Sequence, residues 1–285
     1  MTIQQECIGC IIAQSERVCD AIHADATLRK SIVGYVETAL QDADFTLSPP
    51  VIAAPLYEEM AKLANTTDLY EQQKRHASEQ AETYIPFLKE TIQHSDDPFI
   101  AALKTAVVGN VIDLAAEVSF DLHDAIASVF TTPFELDNTE ELRKALGNAK
   151  NLLYIGDNAG EHIFDRLTIL SLQKLFPEVV FTYMVRGNPI INDVTLKEAF
   201  EAGIEEVCQV ISSGVPTPGF VYALASSDAQ AMFDTADLIL AKGMGNYECM
   251  TPQRRINVCF LLKVKCSVVA RSLNREIGDI VCCLS

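Results

Sequence analysis

Beyond about residue 150 the chain alternates short apolar segments, rich in β-branched and aromatic residues, with segments whose apolar residues recur at helical spacing. This alternation is typical of a mostly parallel sheet covered by helices on both faces, so it predicts an α/β fold. The predicted strands are 151–156, 179–185, 205–211, 236–241, 256–262 and 279–284. The predicted helices are 160–175, 194–202, 227–234 and 267–274.

The first half of the chain is different, because its apolar residues recur at helical spacing and it contains no convincing strand. Proline-containing breaks at Ser48-Pro49-Pro50 and Asp96-Asp97-Pro98 are typical of helix boundaries. A chain of 285 residues is long enough to bury a large core. We therefore expect one large domain or two closely packed subdomains, of which the first is helical.

Composition excludes several classes of partner. The net charge is −17 and no Lys/Arg-rich stripe is present, which argues against a nucleic-acid-binding protein. No apolar run approaches the length of a membrane span, and the first residues do not have the layout of a signal peptide. The nine cysteines are mostly within apolar segments, which is typical of buried thiols in a reducing compartment. We expect a cytoplasmic protein without a nucleic-acid or membrane partner.

The segment 156–161, Gly-Asp-Asn-Ala-Gly-Glu, directly follows the predicted strand Leu152-Leu153-Tyr154-Ile155. It presents two carboxylates and an amide, from Asp157, Glu161 and Asn158, within one turn. In an open parallel sheet such a strand end faces the ligand crevice. Oxygen donors packed this closely suit a divalent cation such as Mg²⁺ or Mn²⁺. The segment therefore predicts a metal-assisted reaction on a phosphorylated small molecule.

Later predicted strands also end in polar residues. These are Arg186, Asn188 and Asp193 after the second strand, Ser213 after the third and Lys242 after the fourth. Three of them have a simpler local interpretation: Asp193 as a helix cap, Ser213 as part of a turn, and Lys242 as an exposed lysine ahead of a flexible, glycine-rich loop over residues 243–248. Because the strand ends of a parallel sheet converge, we expect the carboxylates, the amides, the arginine and the lysine to meet in one crevice.

The expected chemistry follows from these side chains. A divalent ion held by Asp157, Asn158 and Asp193 would keep water positions open and polarise a phosphoryl oxygen. Lys242 and Lys265 would neutralise the remaining charge of the phosphoryl group. Glu161 has two interpretations, because it could orient the attacking water or a sugar hydroxyl, or only favour the helix N-terminus through the dipole.

Three segments together resemble the DUF89 family, also called the ARMT1-like damage-control phosphatases. They are residues 156–161, residues 186–195 (Arg-Gly-Asn-Pro-Ile-Ile-Asn-Asp-Val-Thr) and residues 241–248 (Ala-Lys-Gly-Met-Gly-Asn-Tyr-Glu). Three further segments also resemble family motifs, namely Cys7-Ile8-Gly9-Cys10, Asp97-Pro98 followed by residues 109–113 (Gly-Asn-Val-Ile-Asp), and residues 262–266 (Leu-Lys-Val-Lys-Cys). The resemblance therefore covers nearly the whole chain.

The resemblance implies a helical subdomain over 1–148 packed on a three-layer α/β/α sandwich over 149–285. It implies metal-dependent hydrolysis of phosphate monoesters of small metabolites, sugar phosphates or damaged metabolites, with Mn²⁺, Co²⁺, Ni²⁺ or Mg²⁺. By similarity Asp157, Asn158 and Asp193 are metal ligands and, together with Glu161 and Lys242, catalytic residues. The residues assigned to the substrate are Asn110, Arg186, Asn188, Ser213, Met244, Gly245, Asn246, Tyr247, Glu248 and Lys265.

Two features depart from the family pattern or leave a choice open. Ser267 follows Cys266 where the family has proline, and either Lys263 or Lys265 could be the family lysine. The pair Cys7 and Cys10 lies on one helix face, so it could serve packing, or bind metal or act in redox chemistry with Cys266 as a third partner. We place His162 on the helix surface without a role.

Two other classes of function compete with the phosphatase. Gly243-Met244-Gly245 follows a strand, as in nucleotide- or S-adenosylmethionine-binding enzymes, but Glu248 occupies the position of the third glycine. The second alternative is a non-catalytic metabolite-binding or redox-sensing protein on the same scaffold.

Overall fold

The apolar segments of the second half form a twisted sheet that continues into the first half. A computed structural model describes residues 1–111, 122–251 and 257–285. The strands are β1 (Leu136–Asp137), β2 (Asn151–Ile155), β3 (Val180–Val185), β4 (Gln209–Ser212), β5 (Leu238–Lys242), β6 (Val258–Lys263) and β7 (Ile280–Leu284). Their order is β1-β7-β6-β5-β2-β3-β4, and all neighbours are parallel except β6 and β7.

Helices form most of the other regular structure in the described residues. They are α1 (Gln5–Ala21), α2 (Ala26–Ala39), α3 (Pro49–Leu63), α4 (Glu71–His94), α5 (Pro98–Val111), α6 (Leu122–Thr131), α7 (Thr139–Asn148), α8 (Glu161–Leu175), α9 (Leu196–Glu201), α10 (Ser227–Thr235), α11 (Gly243–Met250) and α12 (Ser267–Leu273). Within the described ranges, no helix combines the length and the apolar character that a membrane span requires.

The sheet is the middle of three layers. Leu152 and Tyr154 of β2 face one core, together with apolar residues of α5, α7, α8 and α9. Leu153 and Ile155 face the other, with apolar residues of α10, α11 and α12. Successive side chains of a strand point to opposite faces, so a central strand buried on both faces is a continuous apolar run. This explains why β2 is apolar from Leu152 to Ile155 and confirms the predicted α/β fold.

The chain order places a topological switch point between β2 and β5. From β2 the chain proceeds through β3 and β4 to one edge, and then returns to β5 on the opposite side of β2. The connections that follow β2 and β5 therefore run in opposite directions, which opens a crevice at the carboxyl ends of these two strands. Gly156 and Gly243 are the first residues beyond these strand ends.

Several predicted elements differ from the structure. The first half contains the short strand β1, whose pairing with β7 could not be read from two residues. Residues 204–206 form a 3₁₀ helix, so β4 starts at Gln209 rather than at residue 205. The glycine-rich segment after β5, which we predicted as a loop, is helix α11. Residue 256, the predicted start of the sixth strand, lies outside the described residues.

Candidate active site

A cavity of about 350 Å³ lies at the switch point, between the sheet edge and the first helices. Sequence-predicted site residues that line it are Asn110, Asp157, Asn158, Asp193, Met244, Gly245, Glu248 and Lys265. The opposite wall comes from α1 and α3 and includes Cys7, Cys10, Ile11, Gln14, Pro50 and Ala53. The cavity is thus enclosed by both halves of the chain.

The three predicted metal ligands are brought together. Asn158 and Asp193 form an isolated antiparallel bridge, and the Val194 N–H donates to the Asp157 carbonyl oxygen at 2.8 Å. The Asn158 amide donates to Asp157 Oδ2 at 3.0 Å. Arg186 lies against both carboxylates, with Nε 2.6 Å from Asp193 Oδ2 and Nη2 3.5 Å from Asp157 Oδ1. One buried guanidinium therefore holds both acids.

The two aspartates are buried, and this changes their pKa values. Burial raises the pKa of Asp157 well above its ordinary value, and repulsion by Asp193 and Glu161 adds to the effect. Burial also raises the pKa of Asp193 to about 6, although Arg186 opposes that change. Arg186 alone therefore does not balance these acids, and a further cation would favour their ionised forms.

Lys242 lies behind the cavity rather than in it. Its side chain is 0% exposed, and Nζ lies 3.1 Å from Glu161 Oε2 and 2.9 Å from Asp165 Oδ1. Burial disfavours its ammonium form, but Asp165 and Glu161 together raise its pKa. The hydroxyls of Tyr154 and Tyr183 also donate to Asp165. Lys242 is thus engaged by two carboxylates, unlike the exposed lysine of the simpler interpretation.

The charges of this buried group do not cancel. Four carboxylates, Asp157, Glu161, Asp165 and Asp193, surround two cationic side chains, Arg186 and Lys242. With all four carboxylates ionised, they carry two more charges than Arg186 and Lys242 supply, and a divalent cation would balance that excess. In the described part of the chain no three His, Cys, Asp or Glu side chains form a metal-binding group of their own. Two carboxylates and one amide fit a hard ion that keeps positions for water and substrate.

Glu161 and Asn110 are hydrogen-bonded beside the two aspartates. Burial alone would raise the pKa of Glu161, but Lys242 and Lys265 lower it below its ordinary value. Glu161 Oε1 accepts from the amides of Asn158 at 2.9 Å and Asn110 at 3.1 Å. Asn110 Oδ1 in turn accepts from the Lys263 N–H at 2.9 Å. Residues 112 and 113 of the same motif lie outside the described residues.

The structure distinguishes between the two candidate lysines after β6. Lys265 lines the cavity, and its positive charge lowers the pKa of Glu161. Lys263 contributes its backbone N–H to Asn110 and is not among the described residues that line the cavity. Lys265 is therefore the lysine placed to meet a bound ligand.

Other sequence-predicted residues do not line the cavity. Asn246 supports Arg186, because its Oδ1 accepts from Nη1 at 3.1 Å. Tyr247 packs edge-on against Phe260 in the core. Ser213 is buried, with its Oγ 3.4 Å from the Val215 N–H. Asn188 lines a separate cavity beside α3.

Sequence reasoning missed one buried acid and misplaced one histidine. Asp165, which binds Lys242, lies four residues after Glu161 on α8, and this spacing on an otherwise apolar helix face was the available signal. His162 is 1% exposed, so its predicted surface position is wrong. Burial lowers the pKa of His162 to about 4, and its Nδ1 accepts from the Gly160 N–H.

Fold and site together place the protein in the class of α/β enzymes that bind small molecules where the strands of a parallel sheet end. The profile of the damage-control phosphatase ARMT1-like domain matches residues 3–281. The chain therefore belongs to the ARMT1-like, or DUF89, family. The predicted family and the predicted phosphatase activity are confirmed.

The similarity extends along the chain. A damage-control phosphatase of Pyrococcus horikoshii is 30% identical over 284 residues, covering 99% of this chain and 98% of that protein. A damage-control phosphatase of Archaeoglobus fulgidus is 31% identical over 235 residues, covering 81% and 80%. The crystal structure of a DUF89 family protein from Pyrococcus horikoshii matches with a TM-score of 0.92 at 29% identity, covering 100% of this chain and 99% of that chain.

Proposed function

We propose that the protein hydrolyses phosphate monoesters of small metabolites, including damaged ones, with a divalent metal that activates water. The observation that carries this proposal is the convergence of Asp157, Asn158 and Asp193 at one cavity. In and directly behind its wall, four buried carboxylates, when ionised, outnumber the two buried cationic side chains by two. The names of the two damage-control phosphatases support the same class of substrate. This set of oxygen donors suits Mg²⁺ or Mn²⁺, and the family resemblance adds Co²⁺ and Ni²⁺ as candidates.

Asp157, Asp193 and the amide oxygen of Asn158 would hold the ion. When bound, the metal supplies a polarised phosphoryl oxygen and a bound water of lowered pKa. Because the Asn158 NH₂ group donates to Asp157 and Glu161, its Oδ1 is the atom left for coordination. Arg186 keeps the two aspartates close together and limits their repulsion.

The remaining residues either contact the substrate or support the residues that do. Lys265 at the cavity wall would neutralise the phosphoryl group. Glu161 and Lys242 support the site without contacting the substrate, because both are buried and paired with each other. Glu161 fixes the side-chain amides of Asn110 and Asn158, and Lys242 balances the charge of Glu161. Met244 and Glu248 of α11 and the helical wall would contact the alcohol part of the ester.

The nucleotide-binding alternative is less compatible with the geometry. The N-terminal turn of α11 is occupied by Asp157, since a Cβ atom on Gly243 would lie 1.9 Å from Asp157 Oδ2. Gly245 is packed against the Pro218 carbonyl oxygen, which a Cβ would approach to 1.9 Å. A pyrophosphate would therefore meet a carboxylate and a carbonyl oxygen where the Rossmann turn offers free backbone N–H groups.

The test is phosphate release from a panel of phosphorylated metabolites, each with and without the four divalent ions. We expect metal-stimulated turnover that Asp157→Asn reduces about 100-fold or more, since one ionised ligand is lost. Asp228→Asn, an exposed aspartate in the first turn of α10, is the control and should leave turnover unchanged. Near-normal turnover by Asp157→Asn would defeat the ligand assignment.

A further inference from the structure

A buried lysine of the helical half lies beside the segment that carries Asp193. Lys74 of α4 is 1% exposed. Its Nζ lies 2.5 Å from Asp68 Oδ2 and 2.7 Å from Glu198 Oε1. Glu198 belongs to the first turn of α9, so this cluster joins the helical half to the sheet half away from the cavity lining.

The second oxygen of Glu198 holds the start of α9. Glu198 Oε2 accepts from the Thr195 N–H at 2.9 Å and from the Thr195 hydroxyl at 2.6 Å, which completes a capping box. Thr195 lies two residues beyond Asp193 and forms a parallel bridge with Arg186. Because Val194 also exchanges backbone hydrogen bonds with Asp157 and Arg186, residues 193–195 are tied on both sides.

A capping box does not by itself need a lysine, because the glutamate of such a box is usually solvated. Here Glu198 is only 4% exposed, so its charge requires a partner inside the protein. Lys74 is that partner, and it belongs to α4 of the helical half, whereas Glu198 belongs to α9 of the sheet half. Without Lys74, Glu198 would have to take up a proton, which weakens it as an acceptor for Thr195, or turn toward water, which breaks the capping box. Both changes loosen the backbone that carries Asp193.

We propose that Lys74 is a positioning residue for the cation site, because it holds Asp193 in place through Glu198 and Thr195. This inference rests on the proposed function, in which Asp193 is a metal ligand. It assigns α4, which does not line the cavity, a part in metal binding. Lys74 touches neither the substrate nor the reacting atoms in this scheme.

The experiment measures Mn²⁺ binding to metal-free protein by isothermal titration, alongside phosphate release. We expect Lys74→Met to weaken Mn²⁺ affinity about 10- to 100-fold, as the loss of a residue that orients a metal ligand typically does. The Mn²⁺ concentration for half-maximal activity should rise by the same factor, while kcat at saturating Mn²⁺ stays within about threefold of wild type. Lys74→Arg, which keeps the charge, should restore most of the affinity.

The chain offers a matched control in Lys197. Its Nζ lies 2.6 Å from Glu71 Oε1 and so joins the same two helices, α4 and α9, but at the surface. The side chains of Lys197 and Glu71 are 53% and 60% exposed. Lys197→Met should therefore leave Mn²⁺ affinity unchanged. If Lys197→Met lost as much Mn²⁺ affinity as Lys74→Met, then weakening any contact between α4 and α9 would lower the affinity. The role of Lys74 would then not be specific, and the proposal would be overturned.

If circular dichroism shows that Lys74→Met does not fold, Glu198→Gln decides the question. It keeps the size of the side chain but has one acceptor oxygen in place of two, so it cannot accept from Thr195 and from Lys74 at the same time. Unchanged Mn²⁺ affinity in folded Lys74→Met or in Glu198→Gln would overturn this inference alone, provided that wild type binds Mn²⁺ and releases phosphate. If wild type does neither, the proposed function fails and the inference falls with it.

Discussion

At the scale of single residues, the surroundings of a charged side chain decide its role more than its type does. Lys242 and Lys265 are both lysines near strand ends, and both were predicted to meet the phosphate. The structure buries Lys242 between Glu161 and Asp165 and leaves Lys265 at the cavity wall. Lys242 therefore balances internal charge, and Lys265 is the lysine at the cavity wall.

The pKa of Asp193 leads to a prediction about stability without metal. Burial raises this pKa from 3.8 to about 6, so the folded state holds the proton more tightly than the unfolded state. The stability gained from that proton is fully present below pH 3.8 and is lost as pH rises through 6. Relative to Asp193→Asn, which cannot ionise, metal-free wild type should lose up to about 3 kcal/mol between pH 4 and pH 7.

Urea unfolding of both proteins at pH 4, 5, 6 and 7, in the presence of a chelator, measures this difference. The comparison with Asp193→Asn removes the contributions of titrating groups that do not interact with Asp193. The remaining difference reports Asp193 together with its effect on the neighbouring Asp157. A difference in unfolding free energy that stays constant from pH 4 to pH 7 would show that Asp193 is not destabilised by its burial.

At the scale of elements, the junction between β5 and α11 is the tightest part of the site. The helix begins directly after the strand, and Gly243 at the junction has φ +75°, a conformation that favours glycine. A Cβ atom at Gly243 would also collide with Asp157 Oδ2. These glycines suggested a loop, but they allow helix α11 to begin directly after strand β5.

Gly243→Ala should therefore disrupt the site. The added methyl group displaces the Asp157 carboxylate, and a shift of about 1 Å in an active-site group can cost about 100-fold in rate. Metal-stimulated phosphate release and Mn²⁺ titration measure the loss. Gly34→Ala in α2, where a Cβ would meet nothing within 4 Å, is the control. It should retain full activity and gain about 0.5–1 kcal/mol of stability; equal activity of the two variants would contradict the prediction.

At the scale of the whole molecule, the helical half supplies part of the sheet's own core. Phe99, Leu103 and Val107 of α5 belong to the cluster that covers one face of the sheet. The Thr168 hydroxyl of α8 donates to the Ala102 carbonyl oxygen of α5 at 3.1 Å. Strand β1 adds an edge to the sheet. The boundary predicted near residue 148 therefore runs through a shared core.

A fragment of residues 149–285 should accordingly fail to fold cooperatively. Without α5 and α7, one face of the sheet would expose apolar residues such as Leu152, Tyr154 and Leu240. Thermal unfolding followed by circular dichroism, compared with the full chain, measures this. A sharp two-state transition in the fragment would show that residues 149–285 form an independent domain.

The sequence by itself was enough to determine the α/β class, the approximate positions of β2, β3, β5, β6 and β7, and the oxygen donors at the end of β2. These features are local in sequence. A strand buried on both faces is a continuous apolar run, and polar residues directly after such a strand indicate a ligand crevice. The phosphatase assignment rested on several family motifs in the same order along the chain, and this order can be read without knowing which residues are in contact.

Only the tertiary structure decided which charges meet. Lys242 binds carboxylates that lie 77 and 81 residues away in the chain, and Arg186 binds Asp157 across 29 residues. The same holds for Lys74 of α4, whose partner Glu198 belongs to α9 in the other half of the chain. The periodicity of apolar residues indicates whether a side chain is buried. Which partner neutralises a buried charge depends on distances in space, and these distances are determined only when the helices pack on the sheet.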